Sequence, residues 1–160
     1  MPIGEIDRKP APPPSHQLLI QRLLRRLHEA SGDRYVLLQG PCDLRLSDVE
    51  YRQPDLMLIS YEHADMIGDT AVNGPPDLII EVLTKTSDCL DRIVKKKNYA
   101  RFGVSEYWII DGENQQIEQY LLPREGHVYR LNRIFSREDR IQSGLFAQAS
   151  FKISELLEGP

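Results

Sequence analysis

The sequence predicts a mixed α/β fold, a single β-sheet flanked by helices. Three observations point there. Apolar runs at residues 53–60, 77–83 and 106–111 have the composition of strands covered on both faces. A pattern of leucines at helical spacing precedes the first run. A second helical stretch separates the last two runs, so one strand-to-strand connection reads as a right-handed helical crossover.

In chain order, residues 1–14 (MPIGEIDRKPAPPP) form a Pro-rich leader, expected to be disordered or polyproline-like, and the domain is expected to span 15–160. Ser15 is a candidate N-cap. Leu19, Leu23, Leu24 and Leu27 then mark one helix face, Arg22, Arg25 and Arg26 lie elsewhere, and Ser31-Gly32-Asp33 ends the helix. Short strands are expected at 35–39 and 42–46, followed by the buried run at 53–60. Residues 61–76 are polar and broken by Gly and Pro, the mark of a loop with room for a short helix. After the strand at 77–83, a helix is expected over 87–102, with Ser87 as N-cap and Gly103 just past its end. The strand at 106–111 closes on the Asp111-Gly112 turn. Tyr107 and Trp108 start this buried strand and are read as core. Residues 117–122 and 128–134 alternate around a Pro/Gly-containing turn and read as a hairpin. Residues 151–157 suggest a short strand and a short helix.

At 160 residues, with 41% hydrophobic and 28% charged residues, the chain suits one self-sufficient core. Cys42 and Cys89 stand far apart, outside any zinc-ligand spacing, which argues against a zinc module or a disulfide scaffold and for a reducing, cytoplasmic setting. No run approaches the length of a membrane span, and the first residues lack the apolar stretch of a signal peptide. The net charge of −4 is unlike that of a dedicated duplex-DNA binder, so nucleic-acid binding by the bare chain is expected to be weak or partner-dependent.

Two carboxylates stand where charge is costly. Asp55 follows Pro54 in one apolar run, and Glu81 lies in the middle of Asp77-Leu78-Ile79-Ile80-Glu81-Val82-Leu83. A glutamate in such a strand needs a partner, a hydrogen bond or a metal. On neighbouring strands the two could share one hard cation, Mg²⁺ or Mn²⁺. Asp91, Lys95 and Tyr99 recur every four residues on one face of the following helix, which can aim Lys95 at the sheet. Each residue also has a plainer reading: Glu81 as a paired core residue, Lys95-Lys96-Lys97 as a solvated face, and Asp91 with Lys95 as a surface pair. Asp77 is ~13 Å along the strand from Glu81, too far to share its cation, and is read as capping local backbone. His63 and His127 fall in loops and are read as solvated.

The ordered set Gln53-Pro54-Asp55-Leu56, Pro76 to Leu83, Asp91-x3-Lys95-x3-Tyr99 and Gly103 to Asp111 resembles the Uma-two family, over a span running from about His16 to the C-terminus. His16 also matches its pattern. The resemblance implies a restriction-endonuclease-like fold with the PD-(D/E)XK core and Mg²⁺-dependent cleavage of phosphodiester bonds in DNA. It implies Asp55 and Glu81 as metal ligands and catalytic residues, with Lys95 as the catalytic lysine. Leu83 stands where the motif has its lysine, so the resemblance moves that role into the helix, with Lys85 as competitor to Lys95. Glu29 is the first helix's only glutamate that could complete such a site, and Tyr99 could orient Lys95 or a phosphate. The alternative from another class is a nuclease-fold binding or assembly module with little activity. A homodimer is expected, because the 117–134 hairpin would leave a strand edge to cover.

Overall fold

The computed structural model describes residues 12–84, 89–146 and 151–158. Helix α1 (Pro14–Ser31) is followed by β1 (Tyr35–Gln39), a small hairpin of β2 (Leu44–Arg45) and β3 (Tyr51–Arg52), and β4 (Leu56–Ser60). A 3₁₀ segment at Tyr61–Met66 leads towards β5 (Leu78–Val82). Then come α2 (Cys89–Phe102), β6 (Glu106–Asp111), β7 (Gln116–Leu121), β8 (Arg130–Ser136) and the short α3 (Ile153–Leu157). The main sheet has the order β1-β4-β5-β6-β7-β8. Only β5 and β6 run parallel, and they are the pair that α2 connects. The expected mixed sheet flanked by helices is the observed architecture.

Both faces of the sheet are covered, which explains the near-continuous apolar runs. On one face Leu19, Ile20, Leu23 and Leu27 of α1 pack with Leu56, Leu58, Leu78, Ile80 and Trp108, joined by Phe146, Ile153 and Leu156. On the other, Tyr99 and Ala100 of α2 pack with Met57, Ile59, Ile79, Tyr107 and Ile109. Tyr107 and Trp108 are core residues, as read, and face opposite sides. Gly103 follows α2 with φ 98°, and its amide donates to Tyr99 O at 3.1 Å, so glycine is needed where α2 turns into β6.

Several expected boundaries move. Helix α1 begins at Pro14, capped by Pro13 with no side-chain hydrogen bond, so Ser15 is a first-turn residue and not the N-cap. Proline suits this turn because the missing N–H has no partner in a helix's first turn. Residues 1–11 of the leader, and Ser87, lie outside the described residues. The strand expected at 42–46 shrinks to two residues that pair with Tyr51–Arg52, a partner too short to show periodicity. The run at 53–60 becomes strand only from Leu56, because proline at 54 has no amide for the ladder. The last strand sits two residues later than expected, and the β7–β8 ladder slips between Gln119 and Tyr120.

Among the described residues, the α1-side core holds the carboxylate of Glu106, only 3% exposed. It accepts hydrogen bonds from Trp108 Nε1 at 3.1 Å, Ser143 Oγ at 2.7 Å and, more weakly, Gln119 Nε2 at 3.4 Å, tying the 140–146 segment to the sheet. Burial raises its pKa from the usual 4.5 to about 7, and the Ser143 and Trp108 bonds only partly oppose this. The folded-state pKa is raised, so the associated stability is present at low pH and lost as pH climbs through about 7. At 1.4 kcal/mol per unit the loss amounts to ~3 kcal/mol. Urea unfolding at pH 5 and pH 8 is expected to show the wild type losing stability while Glu106→Gln changes much less. Equal pH dependence in both proteins would refute the assignment.

Candidate functional site

The site forms where β4 begins and β5 ends. These strands are antiparallel, with Leu56 opposite Ile80, so one step further along the register Asp55 stands opposite Glu81. Asp55 lies just outside the strand, and its side chain continues the ladder: Oδ2 accepts the Val82 N–H at 2.8 Å. That amide points towards β4, whereas the next, Leu83 N–H, bonds to Ile110 O of β6. The Asp55 carboxylate thus replaces a strand carbonyl. Its backbone is held too: Asp55 O accepts Gly40 N–H at 2.9 Å, and a Cβ at position 40 would come within 2.8 Å of Pro54 O. Only glycine lets the end of β1 come this close.

Glu81 points to the α2 face with Ile79, and its side chain is 8% exposed. Tyr99 OH donates to Glu81 Oε1 at 2.9 Å. Burial, with the Glu81 charge adding to it, raises the Tyr99 pKa well above its usual value, so the phenol remains a donor. Lys95, one turn before Tyr99, places Nζ 3.9 Å from Glu81 Oε2. Of its neighbours, Lys96 lies over the Tyr120 ring at 4.6 Å and Lys97 is exposed, so among the three lysines Lys95 is the one turned towards the sheet carboxylate. The structure brings Asp55, Glu81 and Lys95 together at one end of the sheet.

The fourth member is His16, in the first turn of α1. Nε2 lies 3.6 Å from Asp55 Oδ1, and the side chain is 10% exposed. The resemblance drawn from the sequence takes in this histidine but gives it no role, because nothing local says that the start of α1 reaches the end of β4.

Other candidates fall elsewhere. Glu29 is 13 residues further along α1, about 20 Å at helical rise, and pairs with Arg26 at 3.5 Å. It does not complete the site. Lys85 lies outside the described residues, as does the Asp91 side chain. Asp77 caps backbone, but not the local backbone expected: it accepts Ser60 N–H at the end of β4, 17 residues away, at 2.7 Å. His63 is more than a solvated loop residue: its Nδ1 sits 3.1 Å from both Ser60 Oγ and Asp77 Oδ1. Both partners meet the same ring nitrogen, so this Ser-His-Asp group lacks the relay of a nucleophilic triad, which needs one partner on each nitrogen. His127 is exposed, as read.

The donor set suits a hard cation. Asp55 and Glu81 supply carboxylate oxygens, and an oxygen that accepts one hydrogen bond retains a second lone pair. Among the described residues no three His, Cys, Asp or Glu side chains form a preassembled cage. Any cation here would therefore complete its shell with water or phosphate oxygens, as Mg²⁺ usually does. Tyr99→Phe would remove the donor on Glu81 while keeping the ring that packs on Tyr107 at 5.3 Å. It is expected to cost about 1–3 kcal/mol in urea unfolding. No loss would mean that the hydrogen bond does not anchor Glu81.

The comparisons with known proteins agree with this architecture. No curated protein matches the chain. A crystal structure from Anabaena variabilis ATCC 29413, described as "a putative nuclease belonging to DUF820", superimposes with a TM-score of 0.75 at 15% identity, covering 93% of this chain and 83% of the other. At that identity the likeness concerns the fold. The sequence profile of Uma2, described as "Putative restriction endonuclease", matches residues 2–154, and the chain belongs to that family.

Proposed function

We propose that the chain is a divalent-metal-dependent nuclease that hydrolyses phosphodiester bonds in DNA. The observation that carries this reading is the meeting of Asp55, Glu81 and Lys95 at one end of the sheet, with Lys95 Nζ 3.9 Å from Glu81 Oε2. Asp55 and Glu81 would hold Mg²⁺ or Mn²⁺. Such an ion, when bound, lowers the pKa of a coordinated water and polarises a phosphoryl oxygen. The Val82 amide fixes the direction of the Asp55 carboxylate, and Tyr99 fixes that of Glu81. The Lys95 ammonium stands beside Glu81, where it can stabilise negative charge developing on a phosphate.

A binding or assembly role is the second reading, favoured by the net charge of −4, which opposes tight binding of nucleic acid by the chain alone. Two finer proposals accompany the first. The chain acts in the cytoplasm, where Cys42 and Cys89 stay as the free thiols observed, and no described helix is long and apolar enough to cross a membrane. It forms a homodimer over the edge strand β8, where Leu131 and Ile134 are 50% and 43% exposed.

Calorimetry with Mg²⁺ or Mn²⁺, combined with plasmid nicking on the same samples, tests the site. Wild type is expected to bind and nick, and Glu81→Ala to do neither. Lys95→Ala is expected to keep metal binding while nicking falls by roughly 10²–10³. Binding without nicking in the wild type would favour the binding module, and absent metal binding would sink the nuclease reading. Light scattering is expected to return twice the chain mass, and the mass of a single chain would reject the dimer.

A further inference from the structure

We propose that His16 is a nitrogen ligand of the cation that Asp55 holds, making the centre a mixed nitrogen–oxygen site selective for Mn²⁺ over Mg²⁺. The inference rests on the metal-dependent reading above and adds a ligand and a metal preference to it.

The His16 side chain is nine-tenths buried, yet among the described residues Nδ1 has no hydrogen-bond partner and Nε2 reaches Asp55 Oδ1 only at 3.6 Å, beyond hydrogen-bond reach. A buried polar group in that state costs stability, and such groups mark places where an ion, a water or a reacting molecule belongs. Leucine in the first turn of α1 would pack at lower cost if the residue only filled space.

Two ligands of one cation, each bonded at about 2.1 Å with an angle of roughly 90–120° between them, lie about 3.0–3.6 Å apart. The His16 Nε2 to Asp55 Oδ1 distance is at the upper end of that range. The elements that present these atoms are anchored independently. The Asp55 carboxylate is fastened through Oδ2 to Val82, so Oδ1 is the oxygen turned to His16. The start of α1 is fastened by the burial of Leu19, Ile20 and Leu23. His16 and Asp55 thus occupy two positions of the shell. Glu81 would be drawn in as the third protein ligand, because among the described residues no three His, Cys, Asp or Glu side chains stand preassembled, and water and phosphate oxygens would fill the rest.

Mg²⁺ prefers an all-oxygen shell, whereas imidazole suits the borderline first-row metals. A neutral nitrogen beside two carboxylates therefore moves the preference towards Mn²⁺.

The test is Mn²⁺ bound to the full-length protein, read by pulsed electron paramagnetic resonance for ¹⁴N coupling and by calorimetry for Mn²⁺ and Mg²⁺ affinity. Wild type is expected to show histidine ¹⁴N coupling. His16→Gln is expected to lose it, with Mn²⁺ affinity falling at least about tenfold and Mg²⁺ affinity changing less. If His16→Gln does not fold, the triple variant His28→Gln, His63→Gln, His127→Gln leaves His16 as the sole histidine and is expected to keep the coupling. Bound Mn²⁺ that Asp55→Asn abolishes but that shows no ¹⁴N coupling would overturn the His16 ligand and leave the carboxylate site standing. No Mn²⁺ binding by wild type would overturn both.

Discussion

The central sheet is covered on both faces, and most of the molecule follows from that constraint. A strand with helices above and below cannot alternate polar with apolar residues, so β4, β5 and β6 are apolar on both sides. The parallel pairing of β5 with β6 requires a crossover, and α2 supplies both the connection and the cover for one face. Helix α1 and the C-terminal residues cover the other. In such a setting each charged side chain needs a local explanation, because water cannot reach it.

Two buried glutamates show how different those explanations can be. Glu106 and Glu81 lie on opposite faces and near opposite ends of the parallel pair, Glu106 level with Leu78 and Glu81 level with Ile109. Glu106 is surrounded by donors from β6, β7 and the 140–146 segment, and serves to join them. Glu81 meets the Tyr99 phenol and the Lys95 ammonium at the mouth of the sheet, next to a second carboxylate. The first arrangement is complete in itself, whereas the second gathers negative charge at a place a cation can approach. The burial of both is similar, and their partners set their roles.

The mouth of the sheet is suited to a reactive site because backbone order ends there. The ladder of β4 begins only at Leu56, so Val82 N–H has no strand carbonyl opposite it, and Asp55 takes that place with its side chain. The same carboxylate is thereby fixed in orientation at no cost in side-chain freedom when a ligand arrives. Tyr99 performs the equivalent task for Glu81 from the helix above. Preorganisation here is a by-product of finishing the sheet.

Local pattern was enough to read the sheet's buried strands, the crossover helix, the core positions of Tyr107 and Trp108, and the unusual charges Asp55 and Glu81. Each is a matter of periodicity or of a residue type conflicting with its neighbours, and neighbours are visible along the chain. The two-residue pairing of β2 with β3, the strand beginning at Leu56, the late start of β8 and the Asp77–His63 contact were not legible in this way. They depend on which backbone groups find partners across the sheet. The same holds for the site: the sequence nominated Asp55, Glu81 and Lys95 as one set on condition that their elements are neighbours, and register and helix packing meet that condition. That His16 faces Asp55, and that Glu29 does not, was decided by tertiary structure alone, because 39 residues separate His16 from Asp55 and only the docking of α1 on the sheet sets their distance.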